Sequence, residues 1–270
     1  MVRLAVLGGE VVWDHFNLEQ VVERKGDSSP VTAADRAAEA VILAGLAEVA
    51  PTIPVVAEEE VAAGRTPSVG STFFLVDPLD GTKEFIERRT DFTVNIGLIE
   101  DRAPTLGVVY APARSTIYWG DVNAPGAWRA DQVPHAAQGS AGRIKVRQPP
   151  ARLCAVASKS HNTPETEAWL EDAGVQERVA IGSSLKFVLV ASGEADVYPR
   201  PAPTMEWDTA AGDAVLRSAG GRVLDIDGRP LMYGKERFFN PGFVATGPFD
   251  PKPLRQFMGT GTPTPKARVR

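Results

Sequence analysis

The run Phe73-Phe74-Leu75-Val76 leads straight into Asp77-Pro78-Leu79-Asp80-Gly81-Thr82, and this junction constrains the fold more than any other stretch. Four consecutive apolar residues bounded by a turn signal read as a buried strand. The strand ends in two aspartates with Pro78 and Leu79 between them, and Gly81, Thr82 and a helix start follow. Two carboxylates at a strand end can hold a hard cation through oxygen ligands. A helix N-terminus beside them offers backbone N–H groups to an anion. Metal and phosphate at one corner are what phosphate-ester hydrolysis needs. The same residues also fit a plainer description, a strand followed by Asp-Pro and Asp-Gly turns.

The 270 residues, 43% apolar and 23% charged, provide material for one large core or two modest ones. A formal net charge of -5 argues against a nucleic-acid surface, which needs a basic stripe. It leaves a nucleotide substrate open, because a bound metal inverts the local field. The single Cys154, within Leu153-Cys154-Ala155-Val156-Ala157, excludes an internal disulfide and fits a reducing compartment. No apolar run reaches the roughly 18 residues of a membrane helix, and the apolar patch at the start is too short for a signal peptide. A soluble, cytoplasmic protein is the expectation.

Apolar spacing predicts an amphipathic helix over residues 1–24, with Val11, Val12, Phe16, Leu18 and Val22 inward. A second helix is predicted from Thr32 or Ala33 to about Ala50, with Ala37, Val41, Leu43 and Leu46 inward. A short strand at 53–57, a loop at 64–71, a helix near 82–88 and strands at 92–100, 105–111 and 116–120 follow, suggesting an antiparallel sheet. Residues 121–148 hold little periodicity and read as a loop-rich seam. Beyond it, strand and helix alternate to about residue 219, as in an α/β unit. The expected division is an N-terminal α+β part over 1–148, a C-terminal α/β part over 149–258 and a flexible tail over 259–270.

The junction string resembles the signature of the magnesium-dependent, lithium-sensitive phosphatases of the inositol monophosphatase superfamily, and three further segments extend the likeness. Val56-Ala57-Glu58-Glu59-Glu60 matches the segment that supplies a metal-binding glutamate, here Glu58, although Ala57 stands where the family has glycine. Glu206-Trp207-Asp208-Thr209-Ala210-Ala211-Gly212 matches its Trp-Asp-x-Ala-Ala-Gly, making Asp208 a metal ligand; from the residues alone Asp208 is equally an N-cap. Val31-Thr32-Ala33-Ala34-Asp35 is similar to a segment whose aspartate pairs with the threonine of the main signature, here Asp35 with Thr82. Such a pair can help orient and deprotonate a water; alone, Asp35 reads as an acid early in a helix.

The resemblance implies a layered α-β-α-β-α sandwich of the inositol monophosphatase and fructose-1,6-bisphosphatase type. It implies two or three Mg²⁺ ions, replaceable by Mn²⁺, held by Glu58, Asp77, Asp80, Asp208 and the Leu79 carbonyl. Hydrolysis would proceed by a metal-activated water, with Glu58, Asp35 and Thr82 catalytic and the N–H groups of Gly81 and Thr82 on the phosphate. An oxygen-only ligand set selects Mg²⁺ or Mn²⁺ over Zn²⁺.

Within the superfamily, Lys83-Glu84-Phe85-Ile86 is most similar to the 3′(2′),5′-bisphosphate nucleotidases. Ser158-Lys159-Ser160-His161 and Gly182-Ser183-Ser184-Leu185-Lys186 resemble that branch's nucleotide-contacting segments, and Arg200 matches a basic residue that closes the same pocket. His161, Ser183, Lys186 and Arg200 are thereby expected to contact substrate, with Ser183 and Lys186 on one helix face. The implied reaction converts adenosine 3′,5′-bisphosphate to AMP and phosphate, clearing a by-product of sulfate assimilation. An inositol monophosphatase or related sugar phosphatase is the alternative, and a non-catalytic metal- and anion-binding regulator stands behind both. The implied partner is a small phosphate ester; the family is often a homodimer.

Overall fold

The computed structural model describes residues 1–18, 22–24, 30–124, 126–157 and 163–258, so the tail 259–270 lies outside the described residues. Helix α1 (Val2–Phe16) is shorter than the periodicity suggests. It stops at Asn17, whose side chain donates back to the Trp13 carbonyl at 2.9 Å. Leu18 therefore falls beyond the helix and is 60% exposed rather than buried. Strands β1 (Val22–Arg24) and β2 (Pro30–Thr32) form a small antiparallel pair.

Helix α2 (Ala33–Val49) begins where the capping chemistry demands. The Thr32 hydroxyl accepts the Ala34 N–H, and Asp35 accepts the Thr32 N–H at 2.8 Å. This reciprocal arrangement satisfies N–H groups that have no partner within the helix. The buried stripe runs Ala34, Ala38, Ile42, Leu46, one residue away from the expected Val41. Alanines at the first two positions let the helix settle against β4 (Thr72–Asp80), while Val41 turns toward solvent.

After α2 the chain forms β3 (Val55–Ala57) and α3 (Glu58–Ala62), and β4 then leads into α4 (Thr82–Ile86). A meander follows: β5 (Thr93–Glu100), β6 (Ala103–Ala111), β7 (Thr116–Asp121), β8 (Gly126–Asp131) and β9 (Gly142–Ile144). These seven strands form one sheet in the order β3-β4-β5-β6-β7-β8-β9, parallel only between β3 and β4. Strands β8 and β9 correct the reading of 121–148 as loop. Small residues in β8 and the three-residue length of β9 leave too little alternation to read, and what places β8 is its hairpin pairing with β7, Trp128 stacked on Trp119.

The second half holds β10 (Cys154–Ala157), α5 (Pro164–Asp172), β11 (Glu177–Ala180), α6 (Leu185–Ala191), β12 (Val197–Arg200) and β13 (Thr204–Met205). It continues with α7 (Ala210–Ser218), β14 (Arg222–Asp225), β15 (Phe239–Asn240) and β16 (Phe243–Thr246). A five-stranded sheet runs β11-β10-β12-β16-β14, with β10 parallel to both its neighbours. Cys154 is a buried core thiol, its pKa raised by burial.

Five layers result. Helices α1 and α2 cover one face of the seven-stranded sheet through Phe74, Val76, Val94, Ile96 and Tyr110. Phe73, Leu75, Ile99 and Val109 point to the other face, where α7 lies and α6 packs on α7. The five-stranded sheet covers that middle layer, and α5 closes the outside with Trp169 and Leu170. Helix α7 can lie close because of Gly107, where a Cβ would sit 2.3 Å from the Ala211 carbonyl oxygen.

Candidate active site

Asp77 and Asp80 reach one side of the sheet because of an irregularity. Asp77 pairs with Asn95 and Asp80 with Thr93, so β4 takes three steps where β5 takes two. Pro78 has no N–H to give the ladder, and one extra residue bulges out. In a regular strand, residues three apart face opposite ways. Here their cross-strand partners are two apart, so both carboxylates share the face that looks toward α7. The Leu79 N–H returns to Asp77 Oδ1 at 3.0 Å and holds the bulge.

Glu58 follows β3 directly. In parallel register Ala57 lies beside Val76, which brings Glu58 alongside Asp77. Asp208 arrives from the opposite layer, just before Thr209, the residue that precedes α7. Glu58, Asp80 and Asp208 line a cleft of about 330 Å³, together with Gly81, Thr82, Ser183, Lys186 and Arg200. Asp77 lies beneath, 1% exposed. Burial raises the pKa values of Asp77, Asp80 and Asp208. For Asp77 the charges of Glu58, Asp80 and Asp208 add to the effect, and for Asp208 those of Asp80 and Glu58 do. Asp80 is partly compensated by Lys186 and Ser184.

Asp80 and Asp208, like Asp77, accept from protein groups. Ser184 Oγ lies 2.8 Å from Asp80 Oδ2 and 3.1 Å from the Asp208 carbonyl oxygen, and the Met205 N–H donates to Asp208 Oδ2 at 2.9 Å. Among the described residues, no three acidic, histidine or cysteine side chains are gathered closely enough to ligate one ion as they stand. The donor set nevertheless fits a hard divalent cation: all oxygen, four acids, mutually repelling and poorly hydrated. Asn95 adds an independent sign. Directly across the ladder from Asp77, its buried amide has neither its oxygen nor its nitrogen hydrogen-bonded. Buried polar atoms without a partner are uncommon, and this one borders the carboxylates a cation would draw together.

Asp35 and Thr82 meet across 47 residues of chain. Thr82 Oγ1 lies 3.1 Å from Asp35 Oδ1 and 3.1 Å from the Leu79 carbonyl oxygen. Asp35 Oδ2 accepts from both the Thr32 N–H and hydroxyl, at 2.8 and 2.7 Å. Gly81 turns the chain from β4 into α4 with φ of 94°, and a Cβ there would be 2.8 Å from the Asp91 carbonyl oxygen. Only glycine makes this turn without strain.

The far wall carries the cations. Lys186 is 6% exposed, and its Nζ donates to the Ser183 carbonyl at 2.6 Å beside the Tyr198 ring. Burial pushes its pKa down to about 8, against the opposing pull of Asp80. Ser183 does not share a helix face with Lys186, because α6 begins only at Leu185. Ser183 adopts φ of 50°, a left-handed turn that the Lys186 ammonium caps, and the Gly182 N–H faces Asp91 Oδ2 at 3.4 Å. Arg200 lines the same wall and donates to the Ala202 carbonyl at 3.2 Å. His161 lies outside the described residues.

Reading by motif missed three residues: Ser184, Asn95 and Glu39. Each had a faint signal. Ser184 sits inside a matched segment, Asn95 interrupts an apolar strand, and Glu39 follows Asp35 by one helical turn. Asp213, five residues beyond Asp208, is buried and paired with Arg217 and Tyr233 inside α7's packing surface.

Comparisons with known proteins identify the family and the fold. The family model described as the inositol monophosphatase family matches residues 1–247. The 3′(2′),5′-bisphosphate nucleotidase CysQ of Salmonella typhimurium is 45% identical over 247 residues, 90% of this chain and 97% of that protein. The protein of the same name from Escherichia coli K12 is 47% identical over 223 residues, 82% of this chain and 87% of its own. The crystal structure of CysQ from Bacteroides thetaiotaomicron superposes with a TM-score of 0.76 at 38% identity, covering 90% of this chain and 94% of that one. The chain belongs to the inositol monophosphatase family.

Proposed function

We propose that this chain is a 3′(2′),5′-bisphosphate nucleotidase, removing the 3′-phosphate of adenosine 3′,5′-bisphosphate to leave AMP and phosphate. One observation carries the reading: a single cleft joins an acidic wall, Glu58, Asp80 and Asp208, to a basic wall, Lys186 and Arg200. A substrate with one reacting phosphate and a second, spectator phosphate matches both walls. A sugar or inositol monophosphate leaves the second wall without a partner. The CysQ relatives carry the same activity in their names.

Glu58, Asp77, Asp80, Asp208 and the Leu79 carbonyl are the proposed holders of two or three Mg²⁺ ions. Bound there, the ions would supply Lewis-acid stabilisation of the phosphoryl charge and acidify a water. The chain's own groups do the rest. Thr82 has one hydroxyl proton to give, to Asp35 or to the Leu79 carbonyl, so its lone pairs remain to accept from the attacking water. Asp35, bonded to Thr32 on one oxygen, keeps the other for Thr82 and fixes that orientation. The N–H groups of Gly81 and Thr82 would take phosphate oxygens. Lys186, Ser183, Arg200 and His161 are the proposed contacts to the nucleoside and its second phosphate. Residues 1–148 would carry the ions together with Asp208, and 149–258 would otherwise supply the specificity.

The test is phosphate release. Adenosine 3′,5′-bisphosphate should turn over with Mg²⁺, stop with a chelator and slow with Li⁺, and inositol-1-phosphate should be a poor substrate. Lys186→Ala should lower kcat/KM for the bisphosphate at least tenfold and leave inositol-1-phosphate unaffected. Preference for inositol-1-phosphate would instead make the chain a sugar phosphatase. No helix among the described residues is long and apolar enough to cross a membrane; cytoplasmic residence and a homodimer complete the proposal.

A further inference from the structure

Helix α2 carries two buried acids one turn apart. Asp35, in its first turn, reaches Thr82 after β4. Glu39, four residues on and 3% exposed, accepts the Glu59 N–H on Oε2 at 2.8 Å. The spacing of four places both carboxylates on one face of the helix. One therefore grips the β4–α4 turn and the other the β3–α3 turn. These two turns carry Thr82 and Glu58.

The second grip matters because α3 cannot hold its own start. The helix has five residues, too few to be stable alone. Its N-cap is Ala57, which makes no side-chain cap bond. The first N–H groups of a helix have no partner within it, and an alanine cap leaves them so. Glu39 supplies the missing cap from another element. It does so by burying an acid near Glu59 and Glu60, an arrangement that repulsion opposes. Glu58 is the first residue of α3, one position before the N–H that Glu39 holds.

We propose that Glu39 is a positioning residue: it caps α3 from α2 and thereby fixes Glu58 for the divalent cation, so that one helix sets the separation between the Glu58 and Thr82 sides of the site. The proposal rests on the assignment of Glu58 as a cation ligand made above.

The experiment measures Mn²⁺ binding by the electron paramagnetic resonance signal of the free ion, without substrate, and Mg²⁺ activation of bisphosphate hydrolysis separately. The variants are Glu39→Ala, Glu39→Asp and Glu39→Gln, with Ile42→Ala as a control that loses α2 packing but keeps the cap. Glu39→Ala and Glu39→Asp should each weaken Mn²⁺ binding about tenfold or more, in the range typical for losing a group that orients a metal ligand. Half-saturating Mg²⁺ should rise by the same factor, while KM for the bisphosphate at saturating Mg²⁺ stays within about twofold. Glu39→Gln, which keeps an acceptor for the Glu59 N–H, should recover most of the loss. Should Glu39→Ala fail to fold, Glu39→Asp and Glu39→Gln decide. The proposal is overturned if Glu39→Asp binds Mn²⁺ as the wild type does, or if Ile42→Ala weakens binding equally. A wild type that binds Mn²⁺ but leaves the bisphosphate intact sinks the substrate assignment and leaves Glu39 testable by binding alone.

Discussion

Asp80 is held in a compromise: it accepts from Ser184, feels Lys186, and is buried near other acids. Asp80→Asn keeps the shape and the Ser184 bond but removes one charge. Loss of several kcal/mol of charge stabilisation corresponds to roughly a thousandfold loss in kcat. Because burial already disfavours the charged form, the same substitution should raise the melting temperature of the cation-free protein. Substantial turnover in saturating Mg²⁺, or a lower melting temperature, would contradict the assignment. Glu39 gives a pH signature of its own. Burial pushes its pKa up to about 7 from the ordinary 4.5. A folded-state pKa above the unfolded one means that folding retains the proton, so stability is lost as pH rises from about 4.5 and the loss is complete above about 7. Glu39→Gln removes that loss. Its melting temperature relative to wild type, measured in chelator, should climb between pH 5 and pH 8. A difference independent of pH would refute it.

At the scale of elements, the β4–α4 junction depends on one backbone conformation. Gly81→Ala places a side chain at φ of 94° and a methyl 2.8 Å from the Asp91 carbonyl oxygen. A left-handed alanine costs about 1–2 kcal/mol before the contact is counted. Turnover should fall further than stability does, since the displaced turn carries Thr82. A variant with normal kinetics would show that the turn tolerates the change. This junction was legible in the sequence because its chemistry is local: an apolar run, two acids, a proline, a glycine and a threonine in succession. Asp208 and Glu58 were legible for the same reason, each lying at an element boundary inside a recognisable string. Glu39 and Asn95 were not. A glutamate inside a helix looks like solvated surface, and only the partner twenty residues away makes it buried. The shift of the α2 stripe from Val41 to Ile42 has a related cause, since the small residues that approach the sheet carry little hydrophobic signal. Strands β8 and β9 are placed by their pairing partners, not by an alternation of their own.

Across the whole molecule, the two sheets are bound through one middle layer. A single buried cluster contains Phe73 and Val109 from the seven-stranded sheet, Trp207 and Val215 from the chain around α7, and Phe243 from the five-stranded sheet. Asp196 adds a polar tie: it accepts two bonds from Arg147 at 2.7 Å each and a third from the Cys154 N–H at 2.7 Å. Asp196→Ala leaves the buried Cys154 N–H without its acceptor while the part-exposed Arg147 guanidinium returns to water, a loss of about 1–3 kcal/mol. That corresponds to a fall of roughly 5 °C in melting temperature for a chain of this size. Calorimetry should still record one transition, because the shared core couples the halves; two resolved transitions would contradict that coupling. The bulge in β4 has a consequence of a different sort. A strand assigns its side chains by parity, odd residues to one face and even residues to the other. Up to Asp77 the odd positions face α7 and the even ones face α1 and α2; one supernumerary residue reverses the count, so that even-numbered Asp80 joins odd-numbered Asp77. Were β4 to run through Pro78 and Leu79 without the bulge, Asp80 would fall in the layer of α1 and α2, among Phe74, Val76 and Tyr110. An odd spacing between the two acids therefore works only because the strand breaks its own alternation between them.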